Sequence, residues 1–304
     1  MSLDIFGFRA LWSPYFFLSL TVITLLYFLL VGPLRHRFSN TEPTSLKTKL
    51  LFVSGIITLY IFKGSPMDLM GHIIFSAHMT QMAMVYLVVP PLLILGIPNW
   101  IWRIVVNNVY VKPIMKFFTK PLIALIVFNG VFSFYHIPMI FDHVKTNMIL
   151  HSLTTTVIFI AAFFMWWPLL NKLEEWGTLS GLKKVGYIFA DGILLTPACA
   201  LIIFSETAMY ATYTELGAWI NALQLCVPAS MLSGINLTGP EMFNFMPVLE
   251  DQRTGGVIMK IIQEIVYGIL LGFVFFEWVK KEREQDRIDE QLLESEKFTE
   301  PQTN

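Results

Sequence analysis

Charge is scarce in this chain. Only 14% of its residues are Asp, Glu, Lys or Arg, 55% are hydrophobic, and the mean hydropathy is +0.61. Ordinary soluble domains carry about 25% charged residues, so the balance excludes a soluble domain and points to an integral membrane protein. Cysteine is scarcer still. Cys199 and Cys226 stand far apart with no CxxC pattern, giving no reason to expect a thiol metal site or redox pair. A disulfide between them would need both to reach the oxidising face. Internal repeats and a separate soluble domain are also missing. The first apolar run is not expected to be a cleavable signal peptide: it lacks a small-residue cleavage site, and its basic cluster Arg35-His36-Arg37 follows the apolar stretch. The net charge of −1 says nothing about partners, because the charges are segregated by position, and nothing suggests nucleic acid.

What is abundant is long apolar sequence. A span needs about 20 apolar residues, and seven runs qualify or nearly do, near 14–32, 47–63, 70–95, 120–136, 146–169, 185–206 and 255–278. The expectation is an all-α membrane protein with seven transmembrane helices, multi-pass in the plasma membrane with lipid around it. The third run, the longest, carries "VVPPLLILGIP" and should kink at Pro90 and Pro91. Lys and Arg concentrate in 33–49, 96–119, 170–184 and the tail, whereas the other side holds only Arg9, Lys63, Lys145 and Arg253. The positive-inside rule then puts the N-terminus outside and the C-terminus inside, with Trp100, Trp102, Trp166, Trp167 and Trp278 in a cytoplasmic aromatic belt. Residues 1–280 form the transmembrane domain, including an outer loop over 207–254. Within it "GAWINALQLCVPASMLSGINL" (217–237) reads as interfacial or re-entrant, since an eighth crossing would carry "KKEREQDR" outside. The charged cytoplasmic tail, 281–304, is expected to fray and become disordered.

The stretch "GSPMDLMGHIIFSAHMTQMAM" (64–84) holds two histidines and five methionines. On this topology His72, His78, His136, His143 and His151 all lie at the outer side, and only His36 is cytoplasmic. At 1.5 Å per residue, His78 and His151 should both sit roughly 7–9 Å below the outer surface. His78 and Met82 share a helical face at i,i+4, with Gln81 beside them; Met148 and His151 are an i,i+3 pair, and His72 and Met79 share another face. Thioether with imidazole selects Cu(I), whereas zinc favours thiolate or carboxylate and calcium or magnesium favour oxygen. His78, Met82 and His151 are the candidate ligands, and His72, Met79 and His143 a candidate entry site. Most of the methionines are nonetheless core filler, and a single membrane histidine is as often a packing residue. Five histidines at one face favour the metal.

Other polar residues lie at bilayer depth, where they are costly and usually paired. Asp191 in the sixth run and the i,i+4 pair Lys260 and Glu264 in the seventh are expected to form a network joining the two, or else an ion pathway. "EDQRTGG" places Glu250 and Asp251 at the mouth of the last run, as a helix cap or an acidic pair that steers cations.

The elements "KGSPMDLMGHIIFSAHMTQMAMVYLVVPPLLILGIP", "FFMWWPLL" and "EDQRTGGVIM", in this order, resemble the integral-membrane, bacillus-type CtaG family of cytochrome c oxidase assembly factors. The resemblance covers nearly the whole chain and weakens over 208–247 and the tail. It implies a seven-span protein, not an enzyme, that supplies copper to the catalytic B site of cytochrome c oxidase subunit I. The family residues that it carries over are Asp68, His78, Gln81, His151 and Asp251, with Asp68, Gln81 and Asp251 supporting the site or docking a partner. Many members have a second histidine where this chain has Met82, which tilts the expectation further toward Cu(I). An extracytoplasmic copper donor would be a second partner, and homo-oligomerisation stays open. Two other classes compete: a haem-binding membrane oxidoreductase with His78 and His151 as axial ligands, and an ion-coupled transporter using Asp191, Lys260 and Glu264.

Overall fold

A computed structural model describes residues 3–38, 43–177 and 179–299, and among these every regular element is helical. In chain order the helices are α1 (Gly7–Trp12), α2 (Pro14–Val31), α3 (Leu46–Lys63), α4 (Pro66–Ile73), α5 (Phe75–Ala83), α6 (Val89–Gly96), α7 (Asn99–Val106), α8 (Val111–Phe118), α9 (Pro121–Tyr135), α10 (Pro138–Lys145), α11 (Met148–Leu170), α12 (Gly181–Ile203), α13 (Leu216–Leu223), α14 (Ala229–Leu232) and α15 (Val248–Thr299). Among the described residues, five stretches are long and apolar enough to cross a membrane: Leu3–Val31, Phe75–Gly96, Met148–Leu170, Gly181–Ile203 and Val248–Gln291. Two bent pairs, Leu46–Gly64 with Pro66–Ile73 and Val111–Phe118 with Pro121–Tyr135, bring the count to seven if each is one span. The chain is an all-helical membrane protein. Its apolar exterior fits that environment: α2 buries only Leu20, Tyr27 and Val31 and turns Phe17, Leu18, Leu25 and Leu26 outward.

The decisive irregularity lies between α4 and α5. Ile74 is extended (φ −127°, ψ 140°), so the helix stops and restarts. The restart is capped from far along the chain. Asp251, in the first turn of α15 and 1% exposed, accepts from Phe75 N (2.7 Å), Ser76 N (3.3 Å) and Ser76 Oγ. Those are free donors of a helix's first turn. In an unbroken helix Phe75 N would bond Gly71 O; released, that carbonyl accepts from Lys145 Nζ (2.8 Å) and Tyr213 OH (2.6 Å). Asp251 thus caps α5, not the helix it belongs to. The glycines beside it allow the approach: a Cβ on Gly255 would lie 2.9 Å from the Phe75 ring, and one on Gly256 2.7 Å from Ile203.

The span expected to kink at Pro90 and Pro91 departs from α-helical geometry just before them. The chain does not break at Pro90 and Pro91; a π-helical turn, Met84–Val88, precedes them, and α6 runs through both. Pro90 has no N–H for the carbonyl of Tyr86, and Trp166 Nε1 donates to that oxygen instead (3.0 Å). Pro98 leaves the carbonyl of Ile94 in the same position, and Trp102 Nε1 takes it (3.0 Å). Trp166 and Trp167 are both buried in the bundle and do not face outward as an interfacial belt would.

The 217–237 segment folds into α13 and α14, each too short to span. Trp219, Leu223 and Val227 are buried against Phe6, Leu11, Leu69 and Ile73, making a roof over α4. The tail, expected to be disordered from 281, continues α15 as helix to Thr299, and residues 300–304 lie outside the described residues. Its Lys, Glu, Arg and Gln are good helix formers, and pairs such as Arg287–Glu284 (2.6 Å) sit at helical spacing.

Candidate metal site

Four histidines converge at the end of the bundle under this roof. His72 comes from α4, His78 from α5, His136 from the end of α9 and His151 from the first turn of α11. The rings of His72 and His151 have centroids 5.4 Å apart, and those of His78 and His136 6.3 Å. Three of these positions are set by helix ends. The Asp251 cap sets the start of α5 one turn before His78, and Asn147 caps α11 by accepting from Ile149 N (3.1 Å) and Leu150 N (3.0 Å). His136 closes α9, its Nδ1 2.7 Å from Phe132 O.

The hydrogen bonding of these rings is incomplete. His78 is 2% exposed, and neither of its nitrogens has a partner; His136 Nε2 and His151 Nδ1 are likewise buried and unpartnered. Each such group costs about 1–3 kcal/mol when no partner is supplied. His78, Met82 and His151 share the lining of a cavity of about 10 Å³, together with Gln81 and Lys63. Imidazole and thioether side chains line one small space, a donor set that suits a soft cation.

A polar band lies beside the cavity. Asp68 accepts from Lys63 Nζ (3.1 Å), Gln81 Nε2 (2.5 Å) and Cys226 Sγ (3.6 Å), and Gln81 Nε2 also reaches Phe62 O. Asp68 and Gln81 therefore tie α3, α4 and α5 together around the histidines. Lys145, 1% exposed, reaches Gly71 O and His72 Nδ1 (3.3 Å). Burial pushes its ammonium down to about 7.

The expected ligands divide. His78, Met82 and His151 come together, with Gln81 and Asp68 next to them. His72, Met79 and His143 do not meet one another as an entry site. Met79 is buried where a Cβ on Gly255 would lie 3.1 Å away, because the break at Ile74 removes the shared face that unbroken helix would give it with His72. His143 is exposed, and Met148, the expected i,i+3 partner of His151, is also turned outward. His136, Cys226, Lys63 and Lys145 were not anticipated. Cys226 had no local signal, because its neighbours come from a helix about 150 residues earlier; His136 was visible only as one of five histidines at the same side.

A family model described as cytochrome c oxidase caa3 assembly factor matches residues 25–281. The chain belongs to that family. The match spans all four histidines, Asp68, Gln81, Cys226 and Asp251, and leaves out α1 and the last part of α15. No curated protein and no solved structure matches the chain. Family membership makes the protein an oxidase assembly factor, and the histidine cluster is its one assembly of buried ligating side chains with unpartnered nitrogens among the described residues.

Proposed function

We propose that this assembly factor binds Cu(I) as cargo at the histidine end of its bundle and delivers it to the catalytic B copper site of cytochrome c oxidase subunit I, without enzymatic activity of its own. The observation that carries the reading is His78: a nearly fully buried imidazole with both nitrogens unpartnered, beside Met82 and His151 on one cavity. A site that must release its metal is better served by two or three soft ligands than by a closed four-ligand cage. The lysine and arginine distribution supports placing this end outside, facing an extracytoplasmic donor. A haem between His78 and His151 is disfavoured by the cavity they share, about 10 Å³. The transporter reading is disfavoured by the separate partners of its residues. Asp191 binds Asn129 and Tyr267, whereas Lys260 binds Glu264 (2.9 Å) and Thr196 (3.1 Å).

The test is the copper content of purified protein under reducing conditions, in wild type and His78→Ala, with oxidase activity measured in cells carrying each. The expected result is loss, in His78→Ala, of the Cu(I) equivalent held at the His78 cavity, and an oxidase with haem but without its B copper, partly restored by added copper. Unchanged Cu(I) affinity in the variant would sink the site.

A further inference from the structure

Cys226 stands at a junction between the surface and the histidines. It follows α13 in the roof, and the packing of Trp219, Leu223 and Val227 on Leu69 and Ile73 carries it over α4. The ligand atoms of Asp68, His72 and Cys226 all lie within 4.8 Å of one another. On its outer side Cys226 lines an open cleft of about 450 Å³ that also holds Met148, Gln224 and Arg9. On its inner side His72 lies 5.4 Å, ring to ring, from His151, which belongs to the His78 cavity. Sulfur and imidazole thus recur from the cleft to the buried site, with Met148 and Cys226 on the cleft, His72 beside Cys226 and His151, and His151, His78 and Met82 on the inner cavity.

We propose that Cys226 and His72 form a receiving station for Cu(I), through which the ion passes from the open cleft to the His78 cavity. This rests on the copper reading above and adds to it the entry point and its ligands. Asp68 is already engaged by Lys63 and Gln81, and His72 Nδ1 by Lys145 (3.3 Å), so what the station offers a metal is one sulfur and the remaining nitrogen of one imidazole. That sparse, soft pair suits Cu(I) and is a poor zinc site, which would take four ligands. The Lys63 ammonium on Asp68 opposes a divalent ion about twice as strongly as a monovalent one. The step is a ligand exchange without redox change. The thiol loses its proton to Asp68 Oδ2, 3.6 Å from the sulfur, a sulfur–copper bond forms as the copper–ligand bond to the incoming donor breaks and that ligand leaves with the donor, and copper remains Cu(I).

Two measurements on the full-length protein in detergent, anaerobic and reducing, test this. In the first, Cys226 is alkylated with a maleimide and the adduct is quantified by mass spectrometry. Cu(I) at about ten times its Kd should slow the reaction about tenfold, in wild type and equally in His78→Ala. In the second, Cu(I) is titrated against a chromophoric chelator. Cys226→Ser should lose one equivalent that His78→Ala retains, and Cys199→Ser, altering a buried thiol of α12, should lose none. Alkylation that Cu(I) does not slow, or an unchanged stoichiometry in Cys226→Ser, overturns the station while leaving the His78 site standing. A wild-type protein that binds no Cu(I) overturns both. Should metal-free Cys226 resist the maleimide, the stoichiometry of Cys226→Ser decides alone.

Discussion

Two groups of buried polar side chains in this bundle are built in opposite ways. Around Asp191 both carboxylate oxygens are filled: one takes Asn129 Nδ2 (2.6 Å) and the other Tyr267 OH, so that α9, α12 and α15 are joined by a single side chain. Around His78 the nitrogens are left empty although the ring is just as buried. Partnered polar groups fasten helices together, and removing one partner leaves the others exposed to the full cost of burial. Unpartnered ones stabilise nothing in the protein alone and gain only when something binds. The chain supports the second arrangement with the first kind of bond, since the Asp251 cap and the Asp68–Gln81 contacts hold the histidine end in shape.

This contrast can be broken by substitution. The largest loss of stability is expected for Asp191→Leu, which strips the acceptor from two buried donors and should cost about 2–6 kcal/mol. Thermal unfolding in detergent and the amount in the membrane would report it, and normal abundance would show that the network is not a fastener. Asp251→Ala should follow, at about 1–3 kcal/mol for the lost cap of α5. Because that cap sets His78, copper binding should fall together with stability; a variant with lowered melting temperature and full Cu(I) affinity would separate the two. His78→Ala should do the reverse, leaving abundance by immunoblot near wild type while the copper of the His78 cavity is lost, because no hydrogen bond is removed. Disappearance of this variant from the membrane would make the histidine structural. The smallest effect is expected for Glu264→Gln. The Glu264 side chain is 63% exposed, and Lys260 keeps Thr196 and Gln263 as partners. A large fall in abundance there would mean that the pair joins helices after all.

Much of the helical framework was legible in the residues alone. The apolar runs at 14–32, 47–63 and 146–169 correspond to Pro14–Val31, Leu46–Lys63 and Met148–Leu170, because transfer of apolar side chains and local backbone hydrogen bonding act within some 20 residues. The pairing of His78 with Met82 was equally legible, both lying inside one unbroken helix. Tertiary structure decided where that helix begins, and with it which other ligands meet His78. Asp251 caps α5 across 175 or more residues, Trp166 serves the carbonyl that Pro90 frees 80 residues away, and Cys226 meets Asp68 across 158. Hydrogen bonds and packing over such separations leave no periodicity in the sequence. They exist only once the helices have been brought side by side.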